Sequence, residues 1–418
     1  MKLFYVFLCS ALLFLPPARA QEFSLQQLEA AFLENNYLLI ASRFQIDQAD
    51  AEIIQEKLWD NPNLSISEVN LWSNRTSEQF ARLLGNYGRT QQFAIELEQL
   101  IETAGKRKKR VAIRTLEKQS AALDYEELMR ELRKDLRDAY FEVYVLNQEL
   151  THLQQSLSMF GTLKSTYRKQ AEAQNISRAD WLRVQAELVT LEKEQLDLET
   201  ELLEALQVLR TLTNNSSLQA TDFTFQDVPN HLQKNLPATM RALAMENNIS
   251  IKRQENDVMM ADKSLELELA NSKPDLTFQV NYDRGGNIMQ DFFGLGVSMD
   301  LPILNRNKGN IKVAQFQIKE EQAKRSAVQS SLENKISSLA GQIGKYRQTL
   351  QQWSDHDSEG ERQMLENYQK NMLNRQITLL EFIDFTQAWR ASYQAMLATQ
   401  KNFLNTYEEL QLLVGNDF

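Results

Sequence analysis

The sequence predicts a mostly α-helical chain with a membrane β-barrel part, built as a duplicated unit of two strands followed by a long helical hairpin. Three observations carry this prediction. Apolar residues recur in heptad seams over spans far longer than an ordinary helix. Proline is missing where those spans lie: beyond residue 20 it occurs only at Pro62, Pro229, Pro237, Pro274 and Pro302. A proline inside a helix costs about 3 kcal/mol, so its absence permits unbroken rods. Finally, the two halves of the chain match at a near-constant offset.

Taken in order, the first twenty residues read as an export signal. Lys2 supplies the positive start, Leu3 to Leu15 the apolar stretch and Ala18-Arg19-Ala20 a small-x-small cleavage site. Cys9 is the only cysteine of the chain and lies in that stretch, so no disulfide or thiol nucleophile is expected beyond it. The organisation expected is 1–20 signal peptide, 21–215 first repeat, 216–236 connector and 237–418 second repeat.

Each repeat opens with a helical stretch, Ser24 to Leu58 in the first and Pro237 to Ala270 in the second. Strands follow. Phe93, Ile95 and Leu97 alternate with Ala94, Glu96 and Glu98; Leu276, Phe278, Val280 and Tyr282 alternate with Thr277, Gln279, Asn281 and Asp283. Phe293, Leu295, Val297, Met299 and Leu301 alternate with Gly294, Gly296, Ser298 and Asp300. Period two means one oily and one wet face. Between Leu64 and Trp72 the phase switches, which reads as a bulge near Glu68. Such strands suit a membrane barrel, yet four of them cannot close one, and lipid tolerates no open edge. The barrel reading therefore requires sister chains.

The long helices come next. Leu132, Leu136, Ala139, Val143, Leu146, Leu150, Leu153, Leu157 and Phe160 form one seam. Trp181, Val184, Leu188, Leu191, Gln195, Leu198, Leu202, Ala205, Leu209 and Leu212 form a second, after a break at Gln174 to Ser177. Ser177 with Asp180 reads as an N-cap and capping box. A helix over 103–174 would measure roughly 108 Å. In the second half Leu332, Ile336, Leu339, Ile343, Tyr346, Leu350 and Trp353 repeat the first seam, and Ile377-Thr378 repeats Ile176-Ser177.

The order of elements and several motifs resemble the outer-membrane efflux (TolC-type) family. Pro62-Asn-Leu-Ser-Ile and Pro274-Asp-Leu-Thr-Phe are similar to its strand openings. Gln99-Leu100 with Gly105-Lys106-Arg107, and Leu301-Pro302-Ile303-Leu304-Asn305-Arg306-Asn307-Lys308-Gly309-Asn310, are similar to its strand-to-helix junctions. The second junction most resembles the heavy-metal (CzcC/CusC-like) branch. The resemblance implies a homotrimer with a twelve-stranded barrel in the outer membrane and an α-helical periplasmic tunnel. It implies a passive export duct for metal ions or small toxic compounds. The implied partners are a periplasmic adaptor protein, an inner-membrane pump of the RND type and outer-membrane lipid.

By the same resemblance, Leu380-Glu381-Phe382-Ile383-Asp384 corresponds to an acidic selectivity ring at the periplasmic gate. Glu381 and Asp384 are three apart, hence on one helix face, and a ring of such carboxylates attracts and holds cations. The alternative is two solvated carboxylates at a helix start, where the macrodipole favours them. Asp180 aligns with Glu381 through the repeat and is the third gate candidate. The family's hairpin-tethering arginine has Ile377 in its place here, with Arg375 two residues earlier and Arg178 or Arg183 as substitutes.

Other features point to little chemistry. Asp355-His356-Asp357-Ser358-Glu359 invites a metal reading, but adjacent helical residues point apart, so no metal ligands are assigned. His152 and His231 stand alone, and no catalytic constellation or cofactor motif is found. Lys106 to Arg110 reads as a charged surface near the lipid boundary. The net charge of −10 disfavours nucleic acid as a partner. Trp72, Tyr282, Phe292 and Phe293 are candidates for an aromatic girdle. A periplasmic adaptor is the rival function, and the duplication of the hairpin argues against it.

Overall fold

The computed structural model describes residues 23–72, 79–85, 88–285, 289–353, 358–374 and 376–418. The export signal with Cys9, Arg375 and 355–357 of the acidic stretch lie outside the described residues, as do the side chains of Ser358 and Glu359. The chain forms two compact units. One holds residues up to Ala41, Glu126–Asn248 and Ser330–Phe418; the other holds Ser42–Tyr125 and Ile249–Gln329.

In the first unit, α1 (Leu25–Asn35) begins at a full capping box between Ser24 and Gln27. The opening stretch is not one helix, as expected from the sequence, because it breaks at Asn36 before α2 (Tyr37–Glu56). The backbone of Asn36 is extended, and its side-chain oxygen accepts from the N–H groups of Leu38 and Leu39. Its amide donates to the Leu212 carbonyl at 3.0 Å. The second opening stretch breaks in the same way. Asn248 separates α6 (Met240–Asn247) from α7 (Ile249–Asn271) and donates to Leu413 O at 2.8 Å. Leu212 and Leu413 lie in the last turns of α4 (Arg178–Thr213) and α10 (Leu379–Val414). A buried asparagine thus satisfies a helix-end carbonyl that has no intrahelical partner.

Between Glu126 and Glu172, α3 (Lys106–Glu172) buries its predicted seam: Leu136, Val143, Leu146, Leu153 and Phe160 are all buried. Val184, Leu188, Leu191, Leu198, Leu209 and Leu212 do the same on α4. Both α4 and α10 stop in a left-handed residue, Asn214 (φ 50°) and Gly415 (φ 75°). A side chain at 415 would also meet the Asn247 carbonyl, with the Cβ only 2.4 Å from its oxygen. The connector is packed: Phe223 and Phe225 meet the Tyr140 ring, and the Tyr140 hydroxyl donates to Asp227 at 2.6 Å. It contains a short 3-10 turn (Ala220–Asp222) and α5 (Val228–Gln233). The second hairpin's first arm comprises α8 (Lys308–Trp353) and α9 (Ser358–Leu373).

The second unit carries one antiparallel sheet in the order β1 (Asn63–Ser67), β2 (Ala94–Ile101), β3 (Leu276–Gly285), β4 (Gln290–Ser298). Register pairs Leu64 with Leu97, Leu97 with Val280 and Val280 with Leu295. One face is therefore Leu64, Ile66, Ile95, Leu97, Phe278, Val280, Leu295 and Val297. The other is Ser65, Glu96, Glu98, Gln279, Asn281, Gly294 and Gly296. Gln279 donates to Glu98 at 2.7 Å across the wet face. A Cβ at Gly294 would lie 2.2 Å from the Asn281 side-chain oxygen and 2.9 Å from the Phe292 ring, whereas at Gly296 it would meet only the movable tip of Gln279.

The bulge expected near Glu68 is a strand end. β1 stops at Ser67, and Glu68 takes a left-handed φ of 54°. The girdle also differs from expectation. Phe93, Tyr282 and Phe293 cluster on the oily face, with ring centroids 4.8 and 5.8 Å apart, whereas Phe292 pairs in register with Asp283 on the wet face. Alternation assigns neighbours in a strand to opposite faces, so the Phe292-Phe293 pair could not share one. Among the described residues no helix is long and apolar enough to cross a membrane.

Candidate functional site at the hairpin turns

Both hairpin turns close alike. Asn175 N–H donates to Gln170 O at 2.9 Å in the first, and Gln376 N–H to Asn371 O at 2.8 Å in the second. These are the long backward bonds that satisfy orphan carbonyls at a helix end. The helices that follow then differ. Ser177 caps α4 by accepting from Ala179 N–H at 3.0 Å, and Asp180 does not complete a box. Instead Asp180 takes Arg183 at 3.2 Å, an exposed pair on its own helix. Thr378 caps α10 in a full box: its oxygen accepts from Glu381 N–H, and the Glu381 carboxylate accepts from Thr378 N–H at 2.7 Å and its hydroxyl at 2.8 Å.

These contacts place the three gate candidates. Glu381 is exposed, and the Thr378 backbone N–H, then its hydroxyl, hold its carboxyl below the usual range. Asp384 is exposed and makes no hydrogen bond or ion pair among the described residues. Glu381 and Asp384 share a helix, and among the described residues nothing joins either to Asp180. Among the described residues the second turn thus presents two carboxylates with no cation paired to either, while Asp180 is matched by Arg183.

Further along the same helices lies a polar seam that sequence reasoning missed. Arg390 on α10 is 12 % exposed at its side chain and reaches Glu194 and, at 3.6 Å, Glu187, both on α4. Gln387 donates to Glu187 at 2.9 Å and Gln394 to Glu194 at 2.7 Å. Next to it the His152 ring is held between Trp389 (3.7 Å) and Tyr393 (4.0 Å). Burial, aided by Arg390, pushes His152 down to about 4, so it is neutral at pH 7. Burial pushes Glu149 up to about 7, reinforced by Glu201, Glu142 and Glu194 and opposed by Lys401. A signal existed: Asp180, Glu187, Glu194 and Glu201 recur every seven residues, so they form one column on α4.

A sheet with one oily and one wet face and, among the described residues, two open edges, in a chain with long duplicated hairpins, is the make-up of barrel-and-tunnel membrane proteins. The sequence profile of the Outer membrane efflux protein family matches residues 29–215. The cobalt-zinc-cadmium resistance protein CzcC of Cupriavidus metallidurans is 25 % identical over 331 residues, 76 % of this chain and 73 % of that one. Crystal structures share the fold. CusC aligns at a TM-score of 0.71 and 14 % identity over 94 % of this chain and 92 % of its own. The Campylobacter jejuni CmeC outer membrane channel aligns at 0.73 and 13 % over 94 % and 85 %. The open state of the Neisseria gonorrhoeae MtrE outer membrane channel aligns at 0.72 and 15 % over 94 % and 89 %. Over residues 29–215 the chain is thus similar to the outer membrane efflux family, and the function these likenesses support is that of an outer-membrane channel of an efflux system. Its place is the outer membrane, with the helical part in the periplasm.

Proposed function

We propose that the chain is one protomer of a homotrimeric duct. It receives solute from an inner-membrane pump of the RND type through a periplasmic adaptor protein and passes it across the outer membrane without chemistry of its own. One observation carries the assembly. Among the described residues the sheet ends in β1 and β4, each with an unpaired edge, and its oily face includes Leu295 at 87 % exposure. Only sister strands can complete that wall in lipid.

Metal cations are the cargo class this reading favours, supported by the likeness to the cobalt-zinc-cadmium resistance protein and by the two carboxylates of the second turn, which have no ion pair among the described residues. In the trimer Glu381 and Asp384 of each chain would face a common axis as a cation-attracting ring, with Asp180 beside it. Among the described residues no group of His, Cys, Asp and Glu is arranged to hold a metal ion; a ring that attracts cations without chelating them suits a duct, where retention would stop flow.

The test is planar-bilayer conductance of the purified trimer. Glu381→Gln with Asp384→Asn should lower cation-over-anion selectivity several-fold and relieve block by divalent cations. Unchanged selectivity and block would remove these residues from the gate, and a protein that stays monomeric and soluble without detergent would remove the duct itself.

A further inference from the structure

The junction between β4 and α8 carries a feature that neither the gate nor the conduit uses. Residues Leu301, Ile303 and Leu304 are exposed at 66 %, 66 % and 99 %. They follow directly on the strand whose Leu295 and Val297 form the oily face. Three aliphatic side chains left in water forgo the free energy that burial would supply, so a partner is expected. The same short stretch is cationic. A groove of about 520 Å³ is lined by Leu301, Pro302 and Ile303 together with Lys273, Arg306 and Lys308. All three cations are exposed, and none has an ion pair among the described residues. The neighbouring acid Asp275 is already matched by Lys106 at 2.7 Å. Asp300 is the only acidic residue in 298–308.

The charge runs against the rest of the molecule. The four strand-to-helix junctions, 56–63, 101–110, 271–276 and 298–308, hold nine lysines and arginines against five acidic residues, in a chain of net charge −10. Positive charge gathered where an oily wall ends, with aliphatic side chains standing free beside it, fits one environment: the headgroup layer of a bilayer, where phosphate meets hydrocarbon.

We propose that the groove formed by Leu301, Ile303, Lys273, Arg306 and Lys308 binds an anionic phospholipid of the periplasm-facing leaflet. Its acyl chains lie along the oily face, and its phosphate sits between the three cations. This rests on the outer-membrane reading and deepens it by naming a lipid class. Lysine and arginine supply the phosphate donors, and the aliphatic residues supply the anchorage that separates a lipid from free phosphate.

The experiment is native mass spectrometry of the full-length protein released from detergent in equimolar phosphatidylglycerol and phosphatidylethanolamine. The expected result is retention of phosphatidylglycerol by roughly ten-fold or more, falling with ionic strength. The Lys273→Gln, Arg306→Gln, Lys308→Gln triple variant should return the ratio near parity. A Lys164→Gln, Lys169→Gln, Lys345→Gln variant, matched in charge but placed on the helical rods, should leave it unchanged. No preference in the native protein, or a preference that the triple variant keeps, would overturn the proposal. So would full displacement of the lipid by inorganic phosphate at equal concentration. Loss of the trimer in the triple variant would mark the surface as a contact between copies and overturn it as well. The duct reading fails separately: a chain that never enters a bilayer refutes that reading, whereas one that enters without headgroup preference refutes only this inference.

Discussion

The two hairpins descend from one repeated pattern, yet their turns have been given opposite charge logic. In the first, Asp180 is neutralised by Arg183 three residues on. In the second, the aligned position is Glu381, and the place of Arg183 is taken by Asp384. Backbone closure is the same in both, down to the Asn175-to-Gln170 and Gln376-to-Asn371 bonds. Duplication therefore fixed the scaffold, and divergence acted on side chains that the scaffold does not need. The seam above the turns shows the reverse. There α4 supplies the acids Glu187 and Glu194 and α10 supplies Arg390, so the two copies differ in order to fit each other.

The largest expected effect comes from breaking that fit. Arg390→Ala would strand Glu187, whose side chain is 9 % exposed, without its cation. Removing one partner of a buried pair costs about 3–5 kcal/mol because the remaining charge stays desolvated. Arg183→Ala removes an exposed pair and should cost less than about 0.5 kcal/mol. Thermal unfolding of the two variants in detergent, followed by helical circular dichroism at pH 7.5, checks the contrast. Equal shifts would mean that Arg390 and Arg183 do the same job.

How much of this was legible in the sequence follows from where the information sits. The seams through Leu136 and Leu188 and the alternation through Val280 and Leu295 were legible because period alone encodes which face is buried. The breaks at Asn36 and Asn248 were not. Glu34-Asn35-Asn36 and Glu246-Asn247-Asn248 do repeat, but each asparagine matters through a carbonyl some 165 or 176 residues away. Glu381 and Asp384 were found through the family resemblance and Asp180 through the repeat; the capping box read at Ser177 and Asp180 forms instead at the aligned Thr378 and Glu381. Arg390 was missed for the same reason as the asparagines. Its acids lie about two hundred residues earlier, and even their seven-residue spacing, which went unread, names no partner.

The next effect is one of pH. Glu149 is raised to about 7 by burial and by Glu201, Glu142 and Glu194. A carboxyl whose folded value lies above its unfolded value of about 4.5 binds its proton more tightly when folded. Its contribution is therefore most favourable at low pH and declines as pH rises from about 4.5 through about 7. Glu149→Gln removes that decline. The variant should match the parent at pH 4 and exceed it at pH 8, by on the order of 1 kcal/mol after allowance for screening. His152 works in the opposite sense. With a folded value near 4, it favours the fold above about 6.5 and withdraws that support as pH falls from about 6.5 to 4. A parallel stability profile of parent and Glu149→Gln across pH 4–8 would contradict the assignment.

The smallest expected effect returns to the turns and isolates what Glu381 does for the fold. Thr378→Ala removes a hydroxyl that accepts from Glu381 N–H and donates to the Glu381 carboxylate, so both halves of a capping box are disturbed. Ser177→Ala removes a single bond to Ala179 N–H. Loss of an N-cap costs about 1 kcal/mol, with boxes at the upper end of a range reaching about 2. The second turn should therefore lose a few tenths of a kcal/mol more than the first. Hydrogen exchange at the amides of residues 379–382 against 179–181 reads that difference locally, where a global melt would not resolve it. Glu381→Gln sharpens the point, since glutamine also completes a capping box. It should leave exchange near the parent level while still removing the charge from the proposed ring. If Glu381→Gln frays the turn as much as Thr378→Ala does, the charge on Glu381 serves the helix end, and only Asp384 remains as an ion-facing group.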